Sequence, residues 1–120
     1  MSIKCNSETF QAELYETPTA EAILKSLPIQ GKAIRWGDEI YFEIDVQLDL
    51  ESDARVDIQI GELGYWPPGR AFCIFFGPTP MSVNDLPKAA SPVNVFAKIV
   101  NDVSKLKTIQ SGEIIEILAE

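Results

Sequence analysis

The side chains with the most chemistry to offer are few. They comprise three arginines (Arg35, Arg55 and Arg70), two cysteines (Cys5 and Cys73), and eight acidic residues crowded between Asp38 and Asp57. Histidine is absent. No Ser-His-Asp or Cys-His relay can therefore form, the commonest transition-metal ligand is missing, and no imidazole can act as general acid or base near neutral pH. The cysteines stand too far apart in sequence to suggest a redox pair or a zinc site. Cys73 lies inside an apolar run, where a free thiol is ordinarily buried and inert. A catalytic thiolate would need a base or a cation beside it, and none adjoins it in the sequence. Asp49, Glu51, Asp53 and Asp57 supply oxygen donors, yet their spacing is not that of a calcium loop. Solvated strand faces and a turn account for them more simply. Neither a metal nor a cofactor is expected.

The remaining candidates are aromatic. Tyr65-Trp66-Pro67-Pro68-Gly69 and Gly77-Pro78-Thr79-Pro80 bracket the run Ala71 to Phe76, and six of the eight prolines fall between Pro67 and Pro92. Trp36, Tyr41, Tyr65, Trp66, Phe75 and Phe76 could wall an apolar cleft, with Arg35 and Arg70 available for an anionic group. Pro67, Pro78, Thr79 and Asn94 belong to the segments that would rim it. Prolines stiffen those segments, so little conformational entropy remains to be lost on binding. The competing reading packs the same aromatics into the core and the loops, and leaves Trp66, next to two prolines, as the accessible one.

Strands must position these residues. Ile40, Phe42, Ile44, Val46, Leu48 and Leu50 alternate with Tyr41, Glu43, Asp45, Gln47, Asp49 and Glu51, so one face meets the core and the other meets water. Val56, Ile58 and Ile60 repeat the pattern after an acidic turn near Glu51 to Ala54, which predicts a long hairpin. Phe10, Ala12 and Leu14 alternate earlier, and Val93, Val95, Ala97 and Ile99 later. A last strand is expected through Glu113 to Leu118. One helix is signalled by Thr17 as a cap, Pro18 in the first turn, and a stripe of Ala20, Ile23, Leu24 and Leu27 that stops at Pro28. A shorter helical turn is expected at Asp102 to Leu106, and a long ordered loop from Gly77 to Ser91. Seven or so strands and one plugging helix predict a mainly β fold, a closed antiparallel barrel without free edges.

At 120 residues the chain is expected to form a single domain, residues 1–120, and its 46% hydrophobic and 23% charged content is that of an ordinary globular protein. The longest apolar run is too short to span a membrane, and the polar start from Met1 to Ser7 does not read as a signal peptide, so a cytoplasmic protein is expected. The net charge is −8, with 12 acidic and 5 basic residues in the first half against 6 and 5 in the second. Such a field repels nucleic acid and anionic membranes, and both partners are disfavoured.

Three segments carry a family resemblance. Arg35-Trp36-Gly37-Asp38-Glu39-Ile40-Tyr41-Phe42, Gly64-Tyr65-Trp66-Pro67-Pro68-Gly69 and Ala71-Phe72-Cys73-Ile74-Phe75-Phe76-Gly77-Pro78-Thr79-Pro80 resemble a group of small prokaryotic proteins with a cyclophilin-like fold and no established biochemical role. The likeness runs from about Glu13 to Ile117. Fainter likenesses to cyclophilins themselves lie in Thr17-Pro18 with the helix that follows, in Gly61-Glu62-Leu63-Gly64-Tyr65, and in Val95-Phe96-Ala97-Lys98-Ile99-Val100. The resemblance implies an antiparallel barrel of about eight strands with helices at its ends. It does not carry over the cyclophilin catalytic arginine, because the matching segment, Tyr41-Phe42-Glu43-Ile44, offers a carboxylate where that cation belongs. Three readings follow. The first is a module that binds a peptide or small ligand in the aromatic, proline-rimmed cleft. The second is a prolyl isomerase with a relocated arginine, for which Arg70 is the candidate. The third is an interaction or assembly domain with no small ligand.

Overall fold

A computed structural model describes every residue from Met1 to Glu120. In chain order the elements are β1 (Ser2–Cys5), β2 (Glu8–Leu14), α1 (Pro18–Ser26), β3 (Ile29–Lys32), β4 (Ile34–Arg35), β5 (Glu39–Glu43), β6 (Arg55–Asp57), β7 (Glu62–Trp66), β8 (Ala71–Phe75), β9 (Lys88–Ile99) and β10 (Ile114–Leu118). Single 3₁₀ turns occupy Pro67–Gly69 and Ser104–Thr108, the second two residues beyond its expected position. The helix forms where its sequence signals it, although Leu24 of the expected stripe is exposed. Thr17 Oγ1 accepts the Ala20 N–H at 3.0 Å, Pro18 opens the first turn, and Ala20 and Ile23 are buried.

All the strands join one antiparallel sheet in the order β3-β10-β1-β2-β9-β7-β8-β5-β4, with β6 attached to β9. The two ends of that path are consecutive in the chain. β3 and β4 flank Ala33, whose N–H donates to the Glu113 carbonyl and whose carbonyl accepts the Gly112 N–H, each at 2.8 Å. The sheet has ten strands rather than about eight, and no ladder of hydrogen bonds closes it into the expected barrel. Packing joins its ends instead: the Phe42 ring of β5 lies so close over Gly31 of β3 that a Cβ there would collide with it.

β8 is buried on both faces, which explains its unbroken apolar sequence. Phe72, Ile74 and Phe76 face the large core inside the sheet, where Phe42 stacks on Phe72 at 5.3 Å and Phe96 meets Phe72 edge-on at 5.4 Å. Ala71, Cys73 and Phe75 face a smaller core outside it, with Ile58, Ala89 and Val93.

The expected hairpin between Ile40–Leu50 and Val56–Ile60 does not form. β5 ends at Glu43 and pairs with β4 and β8, whereas β6 pairs with β9. The face assignment holds through Ile40, Phe42 and Ile44, all buried; Leu50 is exposed. Beyond Glu43 the chain keeps packing against the core without a ladder, and side chains satisfy its backbone. Tyr65 Oη donates to the Val46 carbonyl at 2.5 Å and accepts the Leu48 N–H at 3.2 Å. Asn94 Nδ2 donates to the Asp49 carbonyl at 2.9 Å, and its Oδ1 accepts the Glu51 N–H at 2.8 Å. The loop expected over Gly77 to Ser91 is shorter too, because β9 starts at Lys88 and carries the exposed Pro92 within it.

Candidate ligand-binding cleft

The cleft grows out of a two-residue turn. Trp36 and Glu39 exchange backbone hydrogen bonds of 2.9 and 3.2 Å around Gly37 and Asp38, joining β4 to β5. Gly37 sits at φ +61°, a value such tight hairpin turns demand. Directly paired residues share a face of the sheet, so Trp36 and Glu39 emerge together, followed along β5 by Tyr41. The loop after β8 buttresses the turn: the Asp38 N–H donates to the Pro78 carbonyl at 2.9 Å, and a Cβ on Gly37 would meet Thr79 and Pro80 at 2.9 Å.

The far wall comes from β7 and β9. Trp66 ends β7, and its indole Nε1 donates to Ser91 Oγ at 2.6 Å. Gly69 lies against the same ring, where a Cβ would approach to 2.8 Å. Both contacts fix the ring's orientation. Trp36, Glu39, Tyr41, Trp66, Ala89, Ala90 and Val93 together line a cleft of about 210 Å³.

Glu39 is the one charged side chain in this lining and is 6% exposed. No N–H donor and no cation reaches its carboxyl. Burial pushes that carboxyl up to about 7, and the neighbouring Cys73 thiol lowers it only in part. Cys73 itself is fully buried and raised well above its ordinary value by burial and by Glu39, the inert thiol its sequence context suggested.

Among the residues expected at a cleft, Trp36, Tyr41 and Trp66 meet there. Others serve the fold. Tyr65 and Phe76 belong to the inner core and Phe75 to the outer one, while Asn94 and Tyr65 hold the segment after β5. Thr79 is buried with its hydroxyl donating to the Lys88 carbonyl at 2.5 Å, and Pro67 and Pro78 shape the flanking turns. Arg35 is committed: it donates to the Gly37, Lys107 and Ile109 carbonyls, pairs with Asp38 at 3.1 Å, and lies 5.1 Å from the Phe76 ring centroid. Arg70 pairs with Glu43 at 2.5 Å on the exposed side. Neither arginine lines the cleft, so the expected anion subsite is absent from it. Glu39, Ala89, Ala90 and Val93 escaped the sequence reading. The available signal for Glu39 was its place in the same odd series as Tyr41, three residues after Trp36.

No helix is long and apolar enough to cross a membrane. No curated protein matches the chain. A solved structure, the solution structure of the hypothetical protein AF2241 from Archaeoglobus fulgidus, is similar with a TM-score of 0.83 and 40% identity, covering 99% of this chain and 92% of that one. A structure of McbB in complex with tryptophan is similar at a TM-score of 0.69 and 15% identity, a likeness of fold alone. It covers 98% of this chain and 44% of that one. The cyclophilin-like family model matches residues 1–118. The chain belongs to the cyclophilin-like family.

Proposed function

We propose that this protein is a binding module whose cleft between the Trp36–Glu39 turn and the β7–β9 wall receives one small apolar group. The observation that carries the reading is the convergence of Trp36 and Tyr41, from the β4–β5 hairpin, with Trp66, from the end of β7, on one concavity of about 210 Å³. Drug-sized sites occupy roughly 300–1,000 Å³, so this cleft suits a fragment: a single peptide side chain or a small molecule. The turn and the Trp66 anchors hold the walls in place before binding, which lowers the ordering cost. Isomerase chemistry has less support, because all three arginines are engaged in ion pairs and none borders the cleft.

Intrinsic fluorescence tests this reading. A cognate fragment should change the tryptophan emission, and Trp66→Ala should weaken its affinity about tenfold or more while the far-ultraviolet dichroism stays unchanged. Chemical shifts moved by the fragment should cluster at Trp36, Tyr41, Trp66 and Ala89 to Val93. Shifts confined to Glu43 through Asp57 would overturn the placement. Efficient prolyl isomerisation abolished by Arg70→Ala would replace the binding reading with the enzymatic one.

A further inference from the structure

Two glutamates in this chain are buried to a similar degree and treated in opposite ways. Glu62, 2% exposed, accepts Arg55 at 2.8 and 3.0 Å, the Tyr15 hydroxyl at 2.8 Å and the Gln59 N–H at 2.8 Å. Glu39, 6% exposed, accepts from no N–H group and pairs with no cation, yet it opens into the cleft. A buried carboxylate without a partner is costly, and folded chains normally supply one. Here only the Cys73 thiol, a weak donor, acts on the carboxyl from within the protein, and no cation does so on the side that opens to the cleft.

We infer that the cleft selects a protonated amine on an apolar body, with the ammonium seated on Glu39 and the body against Trp36, Tyr41 and Trp66. The inference rests on the cleft being the binding site. Aromatic faces attract a cation through their negative quadrupoles, most strongly at tryptophan, and two of the three rings here are indoles. An ammonium that keeps an N–H also adds a charge-assisted hydrogen bond to the cleft side of Glu39, which a quaternary centre cannot make and the weak Cys73 thiol donor does not supply. Anionic fragments meet the opposite situation. Glu39 repels them, and Arg35, the nearest guanidinium in sequence, is tied to Asp38 and to three carbonyls.

Calorimetric or fluorescence titration of the full chain at pH 8 with n-butylammonium, benzylammonium and 2-phenylethylammonium, each beside its alcohol counterpart and 3-phenylpropanoate, separates the outcomes. The expected result is a preference of about tenfold or more for at least one ammonium over its alcohol, with no binding of the carboxylate. Glu39→Gln, which keeps the shape of the side chain, should abolish that preference while alcohol binding persists. Trp36→Leu should weaken both members of the pair. Alcohol binding equal to the amine's, a preference that survives Glu39→Gln, or tighter binding of the carboxylate would each overturn the amine selectivity and leave the cleft as a binding site. Silence from every probe would overturn both.

Discussion

Glu39 and Glu62 show how partners, rather than burial alone, set the charge of an interior carboxyl. Burial pushes Glu62 up, but the Arg55 hydrogen bond, the Gln59 amide and the Tyr15 hydroxyl outweigh it, so the group is held below its ordinary value. Glu39 lacks such donors and rises from 4.5 to about 7. The two therefore act in different pH windows. Glu62 contributes stability that is present above its ordinary value and lost as pH falls through the lowered one. Glu39 does the reverse: between about 4.5 and about 7 the folded chain keeps a proton that the unfolded chain has released, so stability falls as pH rises across that window. A shift of this size corresponds to about 3 kcal/mol. Urea unfolding should then find Glu39→Gln similar to the parent at pH 5 and more stable by up to about 3 kcal/mol at pH 8. Parallel pH profiles for the two proteins would show that Glu39 is not desolvated in the folded state.

The segment after β5 shows what an element needs beyond its hydrophobic pattern. Val46 and Leu48 continue the alternation of Ile40 and Phe42, and both pack against the inner core, but their backbone finds no neighbouring strand. Tyr65 and Asn94 take that role, each bonding one carbonyl and one N–H of the segment. Tyr65→Phe should leave the Val46 carbonyl and the Leu48 N–H without their partner and cost about 1–3 kcal/mol. Amide exchange at Leu48 should accelerate in that variant, while the ladder amides of β5 stay protected. Unchanged exchange at Leu48 would remove Tyr65 from this role. Alternation in the sequence identifies which face of a strand is buried, and it did so correctly for Ile40, Phe42 and Ile44. It does not say which strand lies alongside. The 40–50 and 56–60 segments therefore read as a hairpin, although β8 claims β5 and β9 claims β6. Tyr65 and Asn94 looked like ligand contacts for the same reason, since polar groups that cap distant backbone atoms leave no local mark. Trp36 and Trp66 are legible because an aromatic beside glycine or proline stands out, and Tyr41 because it is the aromatic in the odd, outward series of β5; Glu39 hides among acids whose neighbours are solvated.

At the scale of the whole molecule, the open question is what holds the two ends of the sheet together. The chain itself links them through Ala33, and Phe42 packing over Gly31 draws β5 against β3 where no ladder does. Family membership and the helix cap could be read from local sequence, but this closure could not, because it depends on a ring meeting a missing Cβ eleven residues away. A double-mutant cycle isolates the contact. Phe42→Ala removes a buried ring and should cost about 3–5 kcal/mol, whereas Glu43→Ala, on the exposed side of the same strand, should be nearly silent. Gly31→Ala forces a methyl group into the Phe42 ring and should cost about 1–3 kcal/mol through overpacking. If the ring closes the sheet, the two changes cannot be independent: with Phe42 already truncated, the Gly31 methyl enters vacated space and should cost little or even recover stability. The double variant should then be more stable than the sum of the single effects by about 1–3 kcal/mol. Strict additivity, measured by urea unfolding of all four proteins, would mean that β3 and β5 are not held by this contact and that the Ala33 link alone joins the ends of the sheet.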